Sequence, residues 1–110
     1  MINKELELLI ALQDLDMMIE EISAVKRLGF NAEGEDNLLK AREELRARIP
    51  KPLLYSYDKL KNHYKRAIVP VKDNTCLGCF IKIPTSISAK GRIDKGIHFC
   101  EGCGRILYWI

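Results

Sequence analysis

No stretch of this chain approaches the about eighteen consecutive apolar residues that a membrane span needs, so membrane insertion is not expected. The start, Met-Ile-Asn-Lys-Glu-Leu-Glu, is acidic and periodic. It lacks the basic opening and unbroken apolar run of a secretory leader, and a cytoplasmic setting is expected. Histidine is scarce, with only His63 and His98, and neither has a nucleophile neighbour that would suggest a hydrolase. No βαβ pattern surrounds either Cys-x-x-Cys, which argues against a thioredoxin-like redox pair. The chain is read as non-catalytic.

What is present is a spacing. Cys76-Leu-Gly-Cys79 and Cys100-Glu-Gly-Cys103 are two tight turns, each offering a pair of thiolates. A tetrahedral metal needs four soft ligands converging from different directions, and two such turns facing each other supply them. Gly78, Gly102 and Gly104 suit turns that curl towards the sulfurs, where positive φ is common. One structural Zn2+ held by Cys76, Cys79, Cys100 and Cys103 is the leading reading. Iron in a rubredoxin-like site is its rival, since four thiolates suit iron as well. Disulfides would need an oxidising compartment, to which nothing here points. His98 lies close to Cys100, but four cysteines already complete a tetrahedron. A closed site also leaves no position for an activated water.

The net charge of +3 hides a segregation. Residues 1–36 hold three basic and nine acidic side chains, and residues 37–70 hold nine basic and three acidic. Residues 71–110 hold six basic and three acidic, and four metal-bound thiolates would cancel most of that excess. The basic balance is therefore a weak argument for nucleic acid.

From Asn3 to Leu28 the apolar pattern is helical. Leu8, Leu12, Leu15, Ile19 and Ile22 form one row, and Ala11, Leu15, Met18, Ile22 and Val25 another, so the apolar face is wide and wants a substantial partner. Gly29 sits where a C-capping glycine belongs, and Asp36 can cap a second helix carrying Leu38, Leu45 and Ile49. Pro50 and Pro52 break that arm before a third helical stretch with Leu53, Tyr57, Leu60 and Tyr64. The second and third stretches are expected to run end to end, antiparallel to the first, with the acidic arm against the basic one. A second copy could cover what remains of the first helix, as a homodimer. Beyond Ile68 the runs are short and β-rich: Val69–Val71, Phe80–Ile83, Ile97–Phe99 and Arg105–Ile110. Residues 84–96 read as a connection.

The fold class is therefore α+β: an N-terminal antiparallel helical hairpin over residues 1–68, its second arm broken at Pro50/Pro52, then a four-cysteine zinc ribbon over residues 69–110. Lys82, Lys90, Arg92, Lys95 and Arg105 are candidates for a nucleic-acid or partner-binding surface, with Tyr108 and Trp109 either stacking on bases or sheltering the metal turns. Lys59, Lys61, Lys65 and Arg66 make a second basic cluster, facing the acidic helix or solvent.

The stretch Asn74-Thr-Cys-Leu-Gly-Cys79 with Ile83-Pro84, then Cys100-Glu-Gly-Cys-Gly-Arg-Ile-Leu-Tyr-Trp109, resembles the bacterial C4-type zinc ribbon proteins with an N-terminal coiled-coil hairpin. Its Cys-Gly-Arg-Ile-Leu-Tyr-Trp ending is the most specific part, and Ala11-Leu-Gln-Asp-Leu-Asp16 is similar to the family's helical opening. The resemblance implies the four cysteines as ligands and a nucleic-acid-binding or adaptor role. It also implies protein partners related to sigma factors or to flagellar and type III secretion systems. Two departures stand out: the arm is much shorter than usual, and Phe80 comes directly after the second cysteine where a more polar residue is expected. The reading is of an adaptor with a protein partner, with direct DNA or RNA binding as the alternative and iron-based electron transfer behind both.

Overall fold

The computed structural model describes residues 4–93 and 96–110, with the backbone alone for Arg92 and Ile93. Helix α1 spans Lys4–Arg27, which at 1.5 Å per residue is about 36 Å. It stops as the sequence predicts. Gly29 takes φ 92°. Its N–H donates to the Lys26 carbonyl at 3.0 Å, while Phe30 N–H donates to the Val25 carbonyl at 3.2 Å. That pair of bonds is a Schellman ending, and the left-handed residue it needs is best supplied by glycine.

The α2 helix, Glu35–Ala47, returns along α1. Its N-cap is Gly34, at φ 90°, and not Asp36. Leu38 N–H donates to the Gly34 carbonyl at 3.1 Å, so the helix begins earlier than expected. Asp36 instead sits with Glu35 in the first turn, where negative charge meets the positive end of the helix dipole.

The chain breaks at Pro50, as expected, but the third helix does not extend the second end to end. Pro50 caps α3, Lys51–Lys61, and Pro52 sits in the first turn, where a missing N–H costs nothing. Were α3 to continue α2, Arg46 and Asp58 would lie about 18 Å apart along the axis. Instead Arg46 Nη1 and Nη2 donate to Asp58 Oδ1 and Oδ2 at 3.0 and 2.8 Å. Farther along, Tyr57 and Lys61 reach Asp16 and Glu20 in matching order. The third helix therefore doubles back beside α1 and completes a three-helix layer. The Asp58 carboxylate raises the Arg46 pKa by accepting this hydrogen bond. Charge pairing across the arms is realised in Asp16–Arg42 and Glu20–Lys61. Lys59, Lys65 and Arg66 stay exposed.

A four-stranded sheet comes next, β1 Ile68–Lys72, β2 Thr75–Cys76, β3 His98–Phe99 and β4 Ile106–Trp109, in the order β2-β1-β4-β3. Asp73 and Asn74, at φ 51° and 58°, turn β1 into antiparallel β2, as Asx residues do in two-residue hairpins. Strand β1 runs parallel to β4, and β3 antiparallel to it. The connection read over residues 84–96 holds a helix, α4, Thr85–Ile93. Its start is fixed by the Pro84 carbonyl, which accepts from Ile87 and Ser88 N–H at 3.0 Å each.

Two apolar clusters hold these parts. The first joins Leu6, Leu9 and Leu12 of α1, Ile49 and Tyr57 to Ala67, Ile68 and Ile106 at the sheet. A polar bond ties the same junction: the buried Gln13 side chain donates through Nε2 to the Ile68 carbonyl at 3.1 Å and accepts its N–H through Oε1 at 2.8 Å. The second cluster, Val69, Val71, Ile83 and Leu107 with Cys76 and Cys100, surrounds the cysteine turns.

The buried face of α1 is not the expected one. Leu6, Leu9, Leu12, Gln13 and Asp16 are buried. Most of the row expected as the core face is left half-buried or exposed. No residue of α2 is buried.

Candidate metal centre

The two Cys-x-x-Cys turns have the same construction. In the first, Cys76 N–H donates to the Ile81 carbonyl at 3.0 Å and Phe80 N–H to the Cys76 carbonyl at 2.7 Å. In the second, Cys100 N–H donates to the Arg105 carbonyl and Gly104 N–H to the Cys100 carbonyl, both at 2.8 Å. Each turn thus needs a left-handed residue just after its second cysteine. Gly104 provides it in one, at φ 77°, and Phe80 in the other, at φ 63°. Gly78 and Gly102 serve differently from the expectation: neither has positive φ. A Cβ on Gly78 would lie 2.8 Å from Arg105 Nη1, and one on Gly102 would strike the Ile81 side chain.

All four Sγ atoms lie within 4.8 Å of one another. Cys76 and Cys103 approach to 3.9 Å, and Cys79 and Cys100 to 3.6 Å. A tetrahedral zinc with Zn–S of about 2.3 Å separates its sulfurs by about 3.8 Å. A disulfide would bring two of them to about 2.05 Å. All four are free cysteines. The arrangement fits one four-coordinate metal ion. Sulfur geometry alone suits iron equally, so the choice of metal rests on what the surrounding domain is.

The thiols are not equivalent. At Cys100 burial opposes ionisation, but N–H groups of Cys103 and Gly102 and the neighbouring thiols outweigh it, bringing the pKa down to about 7. Burial is the largest influence at Cys103, where with Cys100 and Cys79 it pushes the thiol up to about 12. Burial also raises Cys76. A metal that binds here displaces protons from the reluctant thiols, so its binding releases protons and couples to folding.

Arg105 completes the surroundings. Its Cζ stacks over the Tyr64 ring at 3.8 Å, and Tyr64 Oη donates to the Cys103 carbonyl at 3.0 Å. The guanidinium reaches across to Gly78 in the opposite turn. Its Nε is buried without a hydrogen-bond partner, and among the described residues no ion pair involves Arg105. A half-buried cation with no carboxylate partner among the described residues, laid across both turns, matches the net −2 charge of four thiolates on a divalent ion. Arg105→Met is expected to speed zinc transfer to a chromogenic chelator by about tenfold, the factor of a typical ligand-orienting contact. An unchanged transfer rate would show that the guanidinium does not serve the thiolates.

Of the other surface candidates, Lys82 is exposed and its backbone bridges Thr75, and Lys90 is exposed on α4. The Arg92 side chain and Lys95 lie outside the described residues. Trp109 is half-buried: its ring lies against Gly91 and meets His98 edge-on, with centroids 5.6 Å apart. Tyr108 packs on the helical cluster. These aromatics brace α4 and the sheet, and His98 faces Trp109. The polar trio Asp16, Arg42 and Tyr57 has no signature in the sequence. Arg42 Nε and Tyr57 Oη both donate to Asp16, the latter at 2.7 Å.

A sequence model of the C4-type zinc ribbon domain matches residues 75–107. That span is a C4-type zinc ribbon. The ribbon's four cysteines are accordingly suited to one structural zinc ion. Over 86% of the chain the fold is similar to CT398 from Chlamydia trachomatis, at 29% identity and TM-score 0.63. Over 82% it is similar to the HP0958 protein from Helicobacter pylori, at 24% identity and TM-score 0.65. The chain spans 38% and 36% of those two structures. No curated protein matches. Helices preceding a ribbon are thus an arrangement these solved structures share. Among the described residues no helix is long and apolar enough to cross a membrane.

Proposed function

We propose that the chain is a non-catalytic cytoplasmic adaptor in which a zinc-organised ribbon presents an apolar knuckle to a protein partner. One observation carries this reading: the conformation and exposure of Phe80. A bulky residue at φ 63° is strained by about 1–2 kcal/mol, and glycine serves the equivalent position in the other turn. Yet Phe80 is 73% exposed and belongs to neither apolar cluster. Strain kept at an exposed aromatic supports a role in contact with something else. Leu77 and Ile81, from the same turn, are exposed as well. An aliphatic and aromatic surface of this kind suits a protein partner better than nucleic acid. The cation beside the second turn, Arg105, is already stacked on Tyr64.

The two requirements at Phe80 can be separated. Phe80→Gly is expected to raise the thermal midpoint of the zinc-loaded protein, since it relieves about 1 kcal/mol of backbone strain. The same variant is expected to lose the partner captured from native cell extract by the parent chain, with nuclease present throughout. A partner that disappears on nuclease treatment would favour direct DNA or RNA binding instead. A Phe80→Gly protein that still captures the same partner would remove the knuckle from the account.

A further inference from the structure

A second surface lies on α1, away from the buried side of the helix. Leu8, Ala11, Leu15, Met18, Ile22 and Val25 recur at alternating spacings of three and four, the pattern of a helix–helix seam. Leu15 and Ile22 are half-buried, and Leu8 at the seam's start packs against the first apolar cluster. Met18 and Val25 are 45% and 38% exposed. Neither α2 nor the part of α1 beyond Asp16 contains a buried residue, and α3 meets the hairpin through Asp16, Glu20 and Arg46, none of them seam positions. At Leu15 the seam opens into a groove of ≈ 240 Å³ shared with Ala41, Glu44, Leu45 and Arg48 of α2.

Charge decides what fits there. Glu7, Asp14 and Glu21 are exposed and each lies four residues before Ala11, Met18 or Val25, so they form a row along the seam's edge. None takes part in an ion pair among the described residues. Glu44 adds a further acid on the α2 side, against Arg48. A second copy would bring its own Glu7, Asp14 and Glu21 to the same seam and set like charges against each other. Nucleic acid is repelled for the same reason. We infer that this seam docks one basic amphipathic helix from a partner protein, apolar side chains on Leu15 and Met18 and Lys or Arg against the acidic row. From Ala11 to Val25 the accessible seam is about 21 Å long, which asks for a partner helix of about four turns. The surface is separate from the Phe80 knuckle and does not rest on it, so either can fail alone.

The test uses the zinc-loaded chain and three labelled peptides of three heptads. One has Leu at the seam positions flanked by Lys, one has the same Leu flanked by Glu, and one is a scramble of the Lys peptide. The Lys-flanked peptide is expected to bind at least tenfold tighter than either of the others. Met18→Glu, at an exposed site, should weaken it at least tenfold with the helical signal unchanged. The triple variant Glu7→Lys, Asp14→Lys, Glu21→Lys should transfer the preference to the Glu-flanked peptide. Equal binding of the scramble would reduce the effect to bulk charge and overturn the proposal. So would a preference that survives the triple reversal. Sedimentation showing a dimer of the parent chain that Met18→Glu dissociates would also overturn it, giving the seam to a second copy.

Discussion

Stripping the metal with a strong chelator, or making Cys103→Ala, is expected to dissolve the sheet and leave most of the helical hairpin standing. Structural zinc sites contribute about 10–16 kcal/mol of apparent binding free energy in small peptides, which matches or exceeds the total stability of a typical domain at about 5–15 kcal/mol. The second apolar cluster cannot compensate, because Cys76 and Cys100 are among its members. The effect should not stop at the ribbon. Ile68 and Ile106 cover Leu6, Leu9 and Leu12, and Gln13 is bonded to the Ile68 backbone, so the first half of α1 should loosen as well. Trp109 reports the first event through its contacts with Gly91 and His98, and far-ultraviolet dichroism reports the second. Trp109 emission should shift fully, and helical signal should fall only in part. An unshifted emission in chelator, with zinc shown to have left, would contradict this.

Asp16→Ala is expected to have the second-largest effect, destabilising the chain by about 3 kcal/mol in urea unfolding of the zinc-loaded protein. The Asp16 side chain is 11% exposed and accepts from both Arg42 and Tyr57, so it joins all three helices. Its removal leaves two donors behind. Breaking a buried pair costs about 3–5 kcal/mol, and the Arg42 side chain, 30% exposed, can recover some water, which favours the lower end. Burial first, then the bond to Asp16, raises the Tyr57 pKa, so its hydroxyl stays a donor throughout the neutral range. Tyr57→Phe should cost about 1–2 kcal/mol, and the double variant less than the sum, because both remove one bond. Additive effects, or a loss below about 1 kcal/mol for Asp16→Ala, would show that the trio is not a coupled unit.

The sequence discloses what is chemically singular and hides what packing decides. Two Cys-x-x-Cys turns have few alternative uses, and Gly29 and Pro50 act through backbone constraints that hold in any fold. The direction of α3 is different. Leu53, Tyr57 and Leu60 present the same stripe whether the helix extends α2 or doubles back, and the difference lies in Arg46 meeting Asp58. The rotation of α1 is hidden because Gln13 and Asp16 look like surface residues, yet each is buried against a specific partner. Of the apolar rows that look like core, only Leu12 is fully buried, and Ala11, Met18 and Val25 are exposed. Helix α4 is masked by its Thr, Ser and Gly content, which favours turns in isolation. Its Gly91 is needed where Trp109 crosses, a contact invisible before β4 is placed. At the metal turns, the glycine positions are legible but their reasons are not: Gly78 and Gly102 give room, and positive φ falls on Gly104 and Phe80.

The decisive measurement is X-ray absorption at the zinc edge, on reduced chain purified without chelator. One zinc per chain is expected, surrounded by four sulfur scatterers at about 2.3 Å. A shell containing nitrogen or oxygen, or a folded ribbon with no metal bound, would contradict it.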